Sequence, residues 1–231
     1  MCGFLSILAS HNQDYARAAW LVILAAFIDG LDGRVARLSR STSKFGKELD
    51  SLADIVSFGV APAFLIHLAV LDEMDRLGFM MAAFIGGVYV MAGAFRLARY
   101  NVIADPHRKD QFVGLPIPIA AIAIASYIIL CMKYFQGVQY PEFLITMVLV
   151  SSALMVSTVV YDSLPERFDT TENRWRLGIV VVFCIAVLIK PRMMIFPGMI
   201  LYILSGLVRE MWRIMGNTRK IRKDKSHVGE Q

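Results

Sequence analysis

Four aspartates, Asp29, Asp32, Asp50 and Asp54, fall within 26 residues, at the facing ends of two apolar runs. The first pair is spaced i, i+3 and the second i, i+4, so each pair shares one helical face. A carboxylate at membrane depth costs at least ~2.5–3.5 kcal/mol on insertion scales, and four together repel one another. Protons, cationic side chains or bound cations must neutralise such a cluster. Arg34, Arg37, Lys44 and Lys47 are close enough in sequence to pair with the acids at a membrane interface. A set of hard oxygen ligands with no His or Cys beside it suits Mg²⁺, Mn²⁺ or Ca²⁺. Gly33 directly follows Asp32, and Gly46 precedes Asp50 by four residues. Glycine inside a helix costs ~1 kcal/mol relative to alanine; here it lets a flat or bulky ligand approach the backbone. Ala36 keeps that face small, and Arg34 and Arg37 add positive charge. Carboxylates, a divalent cation and arginine together suit a pyrophosphate.

The elements that carry these residues follow from composition and hydropathy. Of 231 residues, 57% are hydrophobic and 19% charged, with a mean hydropathy of +0.56. Soluble domains have about 45–50% apolar and about 25% charged residues. The departure is toward a membrane protein, and it excludes disorder, collagen, coiled coil and a disulfide scaffold. Apolar runs cover about Met1–Ser10, Tyr15–Leu38, Phe45–Leu71, Leu77–Ile103, Ile119–Phe135, Phe143–Tyr161, Leu177–Ile189 and Met193–Trp212. The first is about half of the ~20 residues a span needs. Asp29 and Asp32 close the second run, and Asp50 and Asp54 open the third, so the acids meet at one loop. The expected fold is all-α: a polytopic membrane bundle of about eight helices. It forms a single transmembrane domain over residues 1–212, followed by a basic cytoplasmic tail over 213–231. If the loop between the second and third helices is cytoplasmic, 19 Lys and Arg residues face the cytoplasm and 5 face the other side. That asymmetry puts both termini and the acidic cluster inside. The net charge of +5 is then explained by cytoplasmic loops and anionic lipid, not by nucleic acid. Cys2, Cys131 and Cys184 form no CxxC pair and read as small hydrophobes.

The residues Asp29-x-x-Asp32-Gly33-x-x-Ala36-Arg37, then eight residues, then Gly46-x-x-x-Asp50-x-x-x-Asp54 resemble the signature of the CDP-alcohol phosphatidyltransferase family at all eight fixed positions. The stretches FGKELDSLADIVSFGVAPA, FRLARYNV and GLPIP resemble the family's bacterial-type (type II) branch, which makes phosphatidylserine. That closer likeness covers roughly Met1 to Ala120. The resemblance implies a six-helix core followed here by a C-terminal pair. It also implies a homodimer with a polar cavity open to the cytoplasmic side of the bacterial inner membrane. Two divalent ions, Mg²⁺ or Mn²⁺, would act on CDP-diacylglycerol, with L-serine as acceptor. By position, Asp29, Asp32, Asp50 and Asp54 would be metal ligands, and Asp54 would also be the general base. Gly33 and Arg37 would meet the cytidine and phosphate portions, with Ala36 and Gly46 keeping that face small. Ser43 corresponds to a loop hydroxyl on the nucleotide. Relatives carry a Pro-Asn…Thr…Asn stretch before the first helix. This chain starts at Met1-Cys2-Gly3-Phe4, inside what would be that helix, so the first helix is expected to be truncated.

A serine acceptor needs a cation for its carboxylate. Arg96 and Arg99, spaced i, i+3 near the end of the fourth run, are candidates, with Asn101 beside them; anchoring by the positive-inside rule is the alternative. Lys44 and Lys47 read as headgroup or topology residues, and the lone His11 and His67 as non-catalytic. Gly86, Gly87 and Gly93 suggest close helix contact, at a dimer interface among other places. Three rival readings stay open. The same family motif serves glycerol 3-phosphate, inositol phosphate or choline, and the lipid can be ether-linked. An intramembrane cation transporter would hold acids near the midplane, within inverted repeats of broken helices. A purely structural membrane protein leaves the four acids without a role.

Overall fold

A computed structural model describes residues 1–38, 44–71, 76–103, 111–162, 187 and 189–228. Side chains are described within these except at 34, 36–38, 44, 71, 76–77, 103, 111–112, 160–162 and 214–228. The helices are α1 (Cys2–His11), α2 (Tyr15–Leu38), α3 (Lys44–Asp54), α4 (Ala61–Leu71), α5 (Arg76–Ile103), α6 (Ile117–Phe135), α7 (Pro141–Val156) and α8 (Pro191–Val228). A π-helical turn, Ile55–Val60, joins α3 to α4 in one rod. Two three-residue strands, β1 (Gln111–Val113) and β2 (Val160–Asp162), pair antiparallel, with Phe112 opposite Tyr161.

Among the described residues, four helical segments are long and apolar enough to cross a membrane: Phe45–Val70, Gly78–Val102, Ile117–Phe135 and Pro191–Arg213. α1 and α7 are shorter apolar helices. α2 has the length, but Arg17, Asp29 and Asp32 interrupt its apolar character. α6 is the centre of the bundle: 61% of its span is buried, against 11% for the peripheral α8. α6 packs on α2, α7 and α8, while α5 packs on α4 and α7. Large apolar side chains point outward in number, among them Phe27, Phe84, Met91 and Leu201, each more than 60% exposed. In water that surface would be unfavourable by ~25 cal/mol per Å²; facing lipid tails it is not.

Some polar groups inside the bundle are hydrogen-bonded across helices. Ser6 Oγ donates to Ala18 O at 2.9 Å, fixing α1 on α2. Tyr15 Oη donates to Leu68 O at 3.2 Å, fixing α2 on α4. Asp14 caps α2 by accepting from Arg17 N–H at 3.1 Å, the usual role of Asp at that position.

Where they are described, the expected helix positions agree with the structure to within a few residues, with four differences. The run expected as one helix over Phe45–Leu71 is interrupted by the π-helical turn Ile55–Val60. α7 stops at Val156, not Tyr161: Ser157 turns extended (φ −62, ψ 167) and the chain enters β2. The loop before Gly114-Leu115-Pro116 contains β1. α8 runs on as helical backbone to Val228, well past Trp212. The expected helix at Leu177–Ile189, Cys184 within it, and the polar link around Ser43 lie outside the described residues, apart from positions 187 and 189.

Candidate active site

The acidic cluster forms where the C-terminal half of α2 meets the rod that starts with α3. Carboxylate oxygens of Asp29, Asp50 and Asp54 all lie within 4.8 Å of one another. Asp29 and Asp54 are half-buried, whereas Asp50 is exposed. Asp50 and Asp54 are one turn apart and share a face of α3; α2 brings Asp29 to that face. Asp32, one turn beyond Asp29, is exposed and outside the trio, although its charge acts on Asp29. Among the described residues, no Lys, Arg or His lies within salt-bridge distance of the trio. Three mutually repelling oxygen donors, with no cation among the described residues in salt-bridge contact with them, fit a hard divalent ion.

Gly33 lies one turn beyond Asp29. Among the described residues, nothing lies within 4 Å of a Cβ built on it, so packing against them does not require a glycine there. Arg34, Ala36 and Arg37 continue α2, but their side chains lie outside the described set. Gly46 is exposed in the first turn of α3.

α5 supplies the cations. Arg96 is only 6% exposed, and its charge acts on Asp54, with Arg99, Tyr100 and Tyr202 as further electrostatic neighbours. Its Nε is buried without a hydrogen-bond partner. Asn101 Nδ2 donates to Ser51 Oγ at 2.9 Å, tying the end of α5 to the residue after Asp50. Arg99 is engaged differently. Nη1 donates to Val156 O at 2.8 Å; Nη2 donates to Val113 O at 3.0 Å, Met155 O at 3.2 Å and Ser157 O at 3.0 Å.

These bonds complete the end of α7. A helix leaves its last four carbonyls without helical partners, and near a membrane they need others. Ser157 N–H bonds Ala153 O, Leu115 N–H bonds Leu154 O at 3.1 Å, and Arg99 takes Met155 and Val156. A cation is also favourable at a helix C-terminus. Gly114 crosses this junction at φ +83, where its Cβ would collide with Met155 O and lie 2.6 Å from Arg99 Nη2.

Of the residues singled out in the sequence, the structure therefore brings Asp29, Asp50, Asp54 and Arg96 together and places Asn101 one contact away. Ser51 and Tyr202 join the site without a sequence signal: Ser51 is an ordinary helical serine, and Tyr202 comes from the remote α8. Gly86 and Gly93 pack inside the chain, against Ala63 and Ile117 respectively, while Gly87 faces open space. His67 stacks edge-on against Phe79 at 4.7 Å, away from the cluster.

A helical membrane bundle with this acidic centre is the setting in which sequence comparison gives a definite answer. The CDP-alcohol phosphatidyltransferase family model matches residues 1–161, and the chain belongs to that family; it is a transferase. CDP-diacylglycerol–serine O-phosphatidyltransferase of Helicobacter pylori (strain ATCC 700392 / 26695) is 34% identical over 211 residues, covering 90% of this chain and 85% of that protein. Archaetidylserine synthase of Methanothermobacter thermautotrophicus is 38% identical over 162 residues, 69% of this chain and 64% of that protein. CDP-diacylglycerol–serine O-phosphatidyltransferase of Mycobacterium bovis is 29% identical over 214 residues, 87% and 72% of the two chains.

Proposed function

We propose that this chain transfers the phosphatidyl group of CDP-diacylglycerol to the hydroxyl of L-serine, giving phosphatidylserine and CMP. The observation that carries the reading is the convergence of Asp29, Asp50 and Asp54 within 4.8 Å in a family member whose relatives are named for transfer to serine. Asp29, Asp50 and Asp54, with Asp32 one turn away, would hold Mg²⁺ or Mn²⁺, two ions in all. Bound there, such ions supply positive charge to a pyrophosphate.

The chain's own groups then have distinct roles. Asp54 accepts the proton of the serine hydroxyl, which is a poor nucleophile until a base removes it. The serine oxygen forms a bond to the phosphorus that bears diacylglycerol, and the bond from that phosphorus to the CMP oxygen breaks. Gly33 leaves room for the nucleotide against α2. Arg37 and Ser43 meet its phosphate and cytidine portions, with Ala36 and Gly46 keeping the approach clear. Arg96 holds the serine carboxylate: it is a buried cation beside Asp54 with a donor to spare. Asn101 and Ser51 brace the Asp50 turn. Arg99 acts on the protein rather than on serine.

The protein works as a homodimer in the bacterial inner membrane, with the site on the cytoplasmic side. Residues 1–212 form the transmembrane domain, and the basic stretch 213–231 lies at the cytoplasmic surface. The 19-to-5 distribution of Lys and Arg supports this orientation.

The test is CMP release by purified protein supplied with CDP-diacylglycerol and Mn²⁺ or Mg²⁺, adding L-serine, glycerol 3-phosphate, inositol phosphate or choline one at a time. Release with serine alone is expected. Release with another alcohol instead would discard the serine assignment and keep the acidic site.

A further inference from the structure

Asp54 is the last residue before the π-helical turn, and the sequence explains why that turn exists. In an α-helix the carbonyl of Phe58 would accept from the N–H of residue 62. That residue is Pro62, which has no N–H and whose ring crowds the carbonyl four residues back. The rod widens instead: Ala61 N–H donates to Val56 O, five residues back. Phe58 O takes a donor from another helix, Tyr89 Oη of α5, at 3.0 Å. Tyr89 is 0% and Phe58 1% exposed, so this bond is shielded from water. α1 backs the turn closely, since a Cβ on Gly3 would lie 2.6 Å from Ser57 Cα.

We propose that Pro62 and Tyr89 are paired positioning residues that hold the π turn and thereby aim Asp50 and Asp54 at Asp29. A π turn is equivalent to one residue inserted in an α-helix, a rotation of roughly 100° about the axis. α4 cannot take up that rotation, because Leu65, Ile66, Ala69 and Val70 are locked in the core. The rotation is therefore expressed in α3, the segment that carries both carboxylates. If the rod relaxed to continuous α-helix, Asp50 and Asp54 would turn away from α2 and the trio would open. Neither Pro62 nor Tyr89 touches the reacting groups; both act through the helix that presents them.

The proposal rests on the trio being a divalent-ion site, and its test reads ion binding and backbone exchange without any turnover. The full chain and its Pro62→Ala and Tyr89→Phe variants are titrated with Mn²⁺, free ion being followed by electron paramagnetic resonance. Hydrogen exchange of the amides in residues 55–63 is measured in parallel. Pro62→Ala, which restores the missing N–H, is expected to slow exchange there and weaken Mn²⁺ binding roughly tenfold, as loss of an ordering group around a metal site does. Tyr89→Phe, which removes one hydroxyl and keeps the packing, is expected to speed exchange and weaken binding in the same direction. If both variants bind Mn²⁺ like the parent, the proposal is wrong while the metal site stands. If the parent binds no Mn²⁺, the metal reading falls and takes the proposal with it. Neither readout depends on which alcohol is the acceptor.

Discussion

Arg96 and Arg99 sit one turn apart on α5, and the sequence presents them as equivalents. Their surroundings are opposite. Arg96 is buried beside Asp54 with an Nε that bonds nothing, whereas Arg99 spends its terminal nitrogens on four backbone carbonyls. An unsatisfied buried donor costs ~1–3 kcal/mol, a cost that the proposed serine carboxylate would offset at Arg96. A guanidinium whose terminal nitrogens already serve four carbonyls holds helix ends together. On the proposed reading, neighbouring cations of one type divide into a ligand group and a strut, and the division is read from partners rather than spacing.

Variants can break or sharpen this contrast. The largest effect is expected from removing the shared acidic centre: Asp29→Ala should lower CMP release ~100-fold and raise the Mn²⁺ concentration needed for half-maximal rate. Arg96→Ala should raise the KM for serine by about 10–100-fold, the loss of a charge-assisted hydrogen bond of ~1.5–3 kcal/mol, with thermal stability near that of the parent. Arg99→Ala should do the reverse. Leaving the end of α7 without its donors should destabilise the protein by ~2–4 kcal/mol, read from the denaturation midpoint, with the KM for serine unchanged. If Arg99→Ala raised that KM at full stability, the two arginines would not differ as described. The smallest effect on activity is expected at the junction Arg99 braces: Gly114→Ala, at φ +83 with its Cβ against Met155 O, should cost more than the ~1–2 kcal/mol of the left-handed backbone alone and leave KM alone.

Much of the site was legible because its signal is local. Asp50 and Asp54 share a face by their i, i+4 spacing alone, and the apolar runs around them place that face at a helix junction. Asp32 shows the limit of spacing. It shares a face with Asp29, but only the packing angle of α2 decides which of the two meets α3. The role of Arg99 was not legible, since its partners at 113 and 155–157 are distant in sequence. β1 and β2 were missed for a similar reason: three-residue strands give too short an alternation to register, and pairing between them is non-local. The end of α7 had a faint signal in Val159-Val160-Tyr161, a β-favouring run that the apolar count absorbed into the helix. Pro62 lies inside the run Phe45–Leu71, which reads as one continuous helix by hydropathy alone; a proline there favours an interruption, and its form depends on Tyr89 arriving from α5.

In the proposed reaction Asp54 joins the metal cluster to the acceptor as the base. Asp54→Asn tests it most directly, with CMP release and CDP-diacylglycerol binding measured on the same purified protein. The account predicts that release at saturating serine falls by roughly 10²–10⁴-fold, the usual worth of a general base, while lipid-nucleotide binding remains detectable. Full turnover by Asp54→Asn would contradict it.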